Sequence, residues 1–102
     1  MSQTALFVRH RTLPGKRDEV QKVWLKHMAP SIAANPGHSA YAYCFDNADP
    51  DSICAFQLYA SVEASQEFLK THSYAAYLKD VEPLLSGPPQ ITALTPKWTK
   101  GL

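Results

Sequence analysis

Ser39-Ala-Tyr-Ala-Tyr-Cys-Phe45 and Ser52-Ile-Cys-Ala-Phe-Gln-Leu-Tyr-Ala60, joined by the polar run Asp46-Asn-Ala-Asp-Pro-Asp51, decide the fold of this chain. Both segments are rich in aromatic and β-branched residues and are bounded by turn formers, so they read as the two strands of a hairpin. A loop symmetric about Asp49 sets Ala42 opposite Phe56, Tyr43 opposite Ala55 and Ala40 opposite Leu58, a large side chain against a small one each time. A slip of one residue would turn every side chain to the other face, so this complementarity pins the register. The same register sets Cys44 opposite Cys54 at a Cβ separation of about 4.5–5.5 Å, wider than the ~3.8 Å of a relaxed disulfide, and predicts free thiols.

Upstream, Thr4 to Thr12 reads as a strand ended by Leu13-Pro-Gly15. A helix follows with Asp18 and Glu19 in its first turn, where acids favour the positive end of the dipole, and runs to about Ala34. Val20, Val23, Trp24, Leu25, Met28 and Ile32 span an apolar arc of roughly 200° on it. Pro30 is expected to kink this helix or close its regular part, and Asn35-Pro-Gly-His38 stops it. Downstream, Ser61 is placed to cap a second helical region that carries Phe68 and Leu69 toward His72. Tyr74, Tyr77, Leu78, Val81 and Leu85 then recur at helical spacing, so helix continues or restarts after His72. Ser86-Gly-Pro-Pro89 ends it, Gln90 to Thr95 is a last short strand, and a tail from about residue 96 holds Trp98. The order is strand-helix-strand-strand-helix-strand. It predicts an α+β chain of the ferredoxin-like split βαβ class (βαββαβ), one domain over residues 1–102. Right-handed crossovers make its sheet antiparallel, with the first and third strands central.

The strands are apolar on both faces. Tyr41, Tyr43 and Phe45 alternate with Ala40, Ala42 and Cys44, and the next strand sets Ile53, Ala55, Gln57 and Tyr59 against Cys54, Phe56, Leu58 and Ala60. An antiparallel sheet with one wet face alternates apolar with polar instead. Each large side chain left in water forfeits about 1.5–3 kcal/mol, so the expected remedy is a sheet-on-sheet homodimer about a two-fold axis. Ten basic and nine acidic residues give no basic stripe for nucleic acid, and no run approaches the ~18 apolar residues of a membrane helix. With two cysteines and no leader-like start, the chain reads as soluble and cytoplasmic, the thiols serving as small buried hydrophobes.

Several pieces in this order resemble the antibiotic biosynthesis monooxygenase family of the dimeric α+β barrel superfamily. They are Arg9-His-Arg-Thr-Leu-Pro-Gly-Lys-Arg-Asp-Glu-Val20, Asn35-Pro-Gly-His38, and Leu58-Tyr-Ala-Ser61 leading to Phe68-Leu-Lys-Thr-His-Ser-Tyr-Ala-Ala-Tyr77. The resemblance implies a ligand cavity between the sheet and its helices. It also implies cofactor-free oxidation of a small aromatic or quinol substrate by molecular oxygen, without flavin, haem or metal. The haem-degrading branch of the superfamily would want Trp at Tyr59 and an axial histidine near Leu78, and neither is present.

His72, at the break of the helical region, is the candidate catalytic base, since imidazole titrates near neutrality; its plain alternative is a helix-end histidine meeting the dipole. His27 lies inside the apolar arc and is either a core histidine with a protein partner or a donor to a ligand oxygen. Trp24, Tyr43, Tyr59, Phe68 and Tyr77, with Tyr41 and Phe7, are candidates to line an aromatic cavity, against plain packing in a core or interface. Arg9 and His10 end the first strand on opposite faces, and Arg9 is expected in an ordinary ion pair. No histidine pair has metal-binding spacing and no carboxylate completes a cluster, so no metal is expected; a phosphate loop and a nucleophile elbow are lacking too. The alternative to an enzyme is a non-catalytic ligand-binding or stress-associated dimer of the same fold.

Overall fold

The hairpin forms as read in the computed structural model, which describes residues 2–101. Ala42 faces Phe56, Tyr43 faces Ala55, Cys44 faces Cys54 and Ala40 faces Leu58, with an irregularity between His38 and Ala40 where the outer strand begins. The elements run β1 (Thr4–Arg11), α1 (Arg17–Ala34), β2 (His38–Phe45), β3 (Ser52–Tyr59), α2 (Val62–Phe68), α3 (His72–Val81), a 3₁₀ turn (Glu82–Leu84) and β4 (Gln90–Leu94). The sheet has the order β2-β3-β1-β4 with every pairing antiparallel, so β1 and β3 are central. This is the ferredoxin-like α+β fold.

The α1 helix runs to Ala34 as read, with Pro30 inside it rather than closing it, and the Asn35 N–H then bonds the Ile32 carbonyl. One local expectation is corrected. Leu25, at the margin of the apolar arc, is 50 % exposed and takes no part in the core. The second helical region restarts rather than continues. Ser61 Oγ accepts from the Ala64 N–H at 3.0 Å to begin α2, and Thr71 Oγ1 accepts from the Tyr74 N–H at 3.3 Å to begin α3.

The helices cover one face of the sheet. Val20 and Met28 from α1, Ile53 and Tyr59 from β3, Phe68 from α2, and Tyr77 and Val81 from α3 form one buried cluster. Because side chains alternate along a strand, Leu6, Val8 and His10 face this layer while Phe7 and Arg9 face away. Arg9 is paired in the ordinary way, with Asp46 Oδ2 at 3.2 Å, and also donates to Ser52 Oγ at 2.7 Å. On this second face Ala42, Cys44 and Phe56 are exposed. Both cysteines are free thiols, but Cys44 is exposed on the single chain and not buried as expected, because it lies on the edge strand β2 and on the face away from the helices. Among the described residues, no helix is long and apolar enough to cross a membrane.

Candidate active site

The inward rows of the sheet follow from strand pairing. Val8, Ala55 and Tyr43 lie abreast, as do Leu6, Gln57 and Tyr41, and His10 stands beside Ile53. The modest side chains of Val8 and Ala55 leave a hollow beneath the helices, and larger rings wall it. The result is a cavity of about 180 Å³ beneath α1, α2 and α3. That suits a small ring system, since an apolar cavity of about 150 Å³ holds benzene whereas drug-sized ligands occupy about 300–1,000 Å³.

All five tyrosines of the chain, Tyr41, Tyr43, Tyr59, Tyr74 and Tyr77, line this space, together with Trp24, Phe68, His10 and Gln57. Trp24 stacks on Tyr43 with centroids 4.2 Å apart, and its indole N–H donates to the Tyr41 oxygen at 3.4 Å. His10 meets Tyr77 edge to face at 6.2 Å. Of the aromatic candidates read from the sequence, Trp24, Tyr41, Tyr43, Tyr59, Phe68 and Tyr77 are brought together here; Phe7 is on the opposite face of the sheet.

The two histidines singled out from the sequence stand elsewhere. His72 is the first residue of α3, exposed, and outside the cavity lining. A capping threonine at 71 starts a new helix there and turns the ring to solvent. His27 faces α3 and not the cavity, with Nε2 at 2.7 Å from Asp80 Oδ2, and it ties the two helices together. Its expected protein partner is thus a carboxylate, which this contact holds below the usual carboxylate range.

Sequence reasoning passed over His10 as a site residue, although its alternation with Leu6 and Val8 placed it on the helix face. Among the described residues it is the only imidazole, carboxylate or fixed cation lining the cavity. It is 8 % exposed, and burial pushes it below the ordinary imidazole value, so it is neutral at neutral pH. Burial raises the tyrosines in the same way, Tyr41 up to about 12, so all five are hydroxyl donors.

Three buried polar atoms of lining residues have no hydrogen-bond partner: His10 Nδ1, the Tyr43 hydroxyl and the Tyr77 hydroxyl. Buried polar atoms are nearly always paired, so three without a protein partner around one aromatic cavity call for water or a ligand's oxygen-bearing groups to meet them. The arrangement supplies flat walls for a ring, two hydroxyl donors and one neutral imidazole to take a proton. Among the described residues, no three of histidine, cysteine, aspartate and glutamate gather as metal ligands.

The model of the antibiotic biosynthesis monooxygenase family matches residues 5–80. No curated protein matches the chain. Among solved structures, Rv0793 from Mycobacterium tuberculosis superposes with a TM-score of 0.85 at 25% identity, over 98% of this chain and 100% of that one. NE2512 from Nitrosomonas europaea, a protein of unknown function, does so at 0.84 and 26%, over 98% and 94%. A mutant of SnoaB, a cofactor-independent oxygenase from Streptomyces nogalater, superposes at 0.83 over 100% of both chains, but at 14% identity the likeness is one of fold alone. With the family model spanning β1 through most of α3, the chain belongs to the antibiotic biosynthesis monooxygenase family.

Proposed function

We propose that the protein is a cofactor-independent monooxygenase acting on a small aromatic or quinol substrate, with His10 as the proton acceptor. The observation that carries this reading is the unsatisfied trio of His10 Nδ1 and the Tyr43 and Tyr77 hydroxyls around one aromatic cavity. Family membership and the description of SnoaB as a cofactor-independent oxygenase support the reaction class.

For a quinol the steps balance without an added reductant. Neutral His10 takes a hydroxyl proton from the ring, and the resulting anion is electron-rich enough to give electrons to dioxygen. One oxygen atom enters a ring C–H as hydroxyl. The other leaves as water, taking the two electrons and two protons that the quinol releases on becoming a quinone. The Tyr43 and Tyr77 hydroxyls donate to the developing oxyanion, and the Trp24–Tyr43 stack holds the ring flat. His72 has no part in this scheme, because it lies outside the cavity. His27, satisfied by Asp80, acts as a helix tie.

The working unit in this proposal is a homodimer, the open sheet faces packed about a two-fold axis so that Phe56, Ala42 and Cys44 are covered. The direct test is oxygen uptake over a panel of substituted quinols and hydroxylated polycyclic compounds. A general base contributes about 10²–10⁴-fold, so His10→Gln should lower kcat at least 100-fold while KM changes little. Uptake at the buffer background for every compound would refute the oxygenase reading. Tight binding without turnover would favour the non-catalytic ligand-binding dimer instead.

A further inference from the structure

The side chain of Gln57 also lines the cavity, and a chain of hydrogen bonds fixes which way round its amide stands. The backbone N–H of Gly37 can only donate, and it meets Asn35 Oδ1 at 3.1 Å, so the amide of Asn35 has its oxygen on that side. Its Nδ2 then faces His38 Nδ1 at 2.8 Å, which must accept. A neutral imidazole that accepts at Nδ1 carries its proton on Nε2. That N–H donates to Gln57 Oε1 at 3.1 Å, and the Tyr59 hydroxyl donates to the same oxygen at 2.6 Å. Burial lowers the His38 pKa, which keeps the ring in this neutral form.

Gln57 therefore has both lone pairs of Oε1 occupied, and its NH₂ is left over. Among the described residues no acceptor bonds Gln57 Nε2, although the residue is only 7 % exposed and lines the cavity. Around it, His38 packs against Tyr59 at 4.3 Å and Phe68 at 4.6 Å, contacts that resist its turning and so hold the amide in place. Gln57 stands four positions from Ile53, the partner of His10, along β3; that is about 13 Å of strand. The cavity thus has a proton-accepting end at His10 and a donating end at Gln57, with Val8 and Ala55 between them.

We propose that Gln57 is a specificity-determining residue, its locked amide N–H donating to a carbonyl oxygen of the ligand. The relay Gly37–Asn35–His38 serves as the positioning device that stops the amide from flipping. The ligand class is then an aromatic ketone with an oxidisable ring hydroxyl at its far end, not a plain phenol or hydrocarbon. This rests on the reading of the cavity as an aromatic-ligand site.

The test uses two probes of one skeleton, α-tetralone with the carbonyl and tetralin without it, titrated calorimetrically into the full-length protein. The wild type should bind the ketone about tenfold more tightly than the hydrocarbon. Gln57→Leu should abolish that preference while leaving tetralin affinity unchanged or better. Gln57→Glu, which keeps the acceptor for His38 and Tyr59 but removes the donor, should abolish it as well, and His38→Phe should weaken it by freeing the amide. A merely structural role would lower both affinities together, so equal losses for the two probes in the Gln57 variants would overturn the proposal. Equal affinities in the wild type would overturn it too, and leave the cavity reading intact. If neither probe binds, the cavity reading itself fails and this inference with it.

Discussion

Tyr77→Phe should make the protein more stable and less active at once. The Tyr77 side chain is 2 % exposed and its hydroxyl has no partner, whereas its ring packs among the core residues of α1, β3 and α2. Removing the oxygen keeps that packing and relieves a buried hydroxyl whose unmet desolvation costs about 1–3 kcal/mol. Water visiting the cavity recovers part of this cost, so the lower end applies, about 1 kcal/mol. For a domain near 100 residues that corresponds to a rise in Tm of about 4–8 °C. Differential scanning calorimetry of the wild type and the variant without ligand provides the measurement. The second arm is turnover, which should fall about tenfold as one of the donors to the developing oxyanion is lost. A Tm that drops by several degrees would mean that the hydroxyl has a strong partner in the native state. The trio would then no longer mark a prepared site.

Phe56→Glu places a charge at the centre of the open sheet face twice per dimer, and should weaken association by about 3–6 kcal/mol while each chain keeps its helical CD signal. Light scattering across a concentration series reads this directly, and an unchanged mass would refute the sheet-face dimer. His10 and His38 are both held below 6.5 in the fold, so the unfolded chain binds more protons as pH falls. Stability should be level between about pH 7 and 9 and decline as pH drops below the unfolded value of 6.5, with Asp46 and Asp80, both held below 3.8, extending the loss at more acid pH; His10→Gln should flatten the histidine part of that slope. Gly37→Ala would bring a Cβ to 3.0 Å from the Ala64 Cβ and 3.3 Å from Asn35 Oδ1. It should cost about 1–3 kcal/mol in urea unfolding and lower ketone preference through Asn35, and a silent substitution would argue against the relay.

The strand register was readable because size complementarity and period-two alternation act locally. Ala42 against Phe56 and Tyr43 against Ala55 need no knowledge of the rest of the fold. The same alternation sent Tyr43, Tyr59 and the neglected His10 to the helix side. Helical phase was less informative. His27 sits on an apolar arc shared by two neighbours, and only the placement of α3 decides that it meets Asp80 and not the cavity. His72 depended on whether the helix continued, and a threonine cap of modest propensity settled it. The state of Gln57 was beyond reading, since it follows from four side chains and one backbone N–H meeting from β2, β3 and the loop before them.

Gathering every tyrosine into one chamber has a spectroscopic and an alkaline consequence. Phenolate absorbance should stay silent past the ordinary value of 10, because each ring resists ionisation while enclosed. An unfolded chain has no such protection and sheds those protons, so rising alkalinity drains stability until the fold gives way and the phenols ionise together. The chamber's wall is thereby its own indicator dye, colourless for as long as the architecture holds.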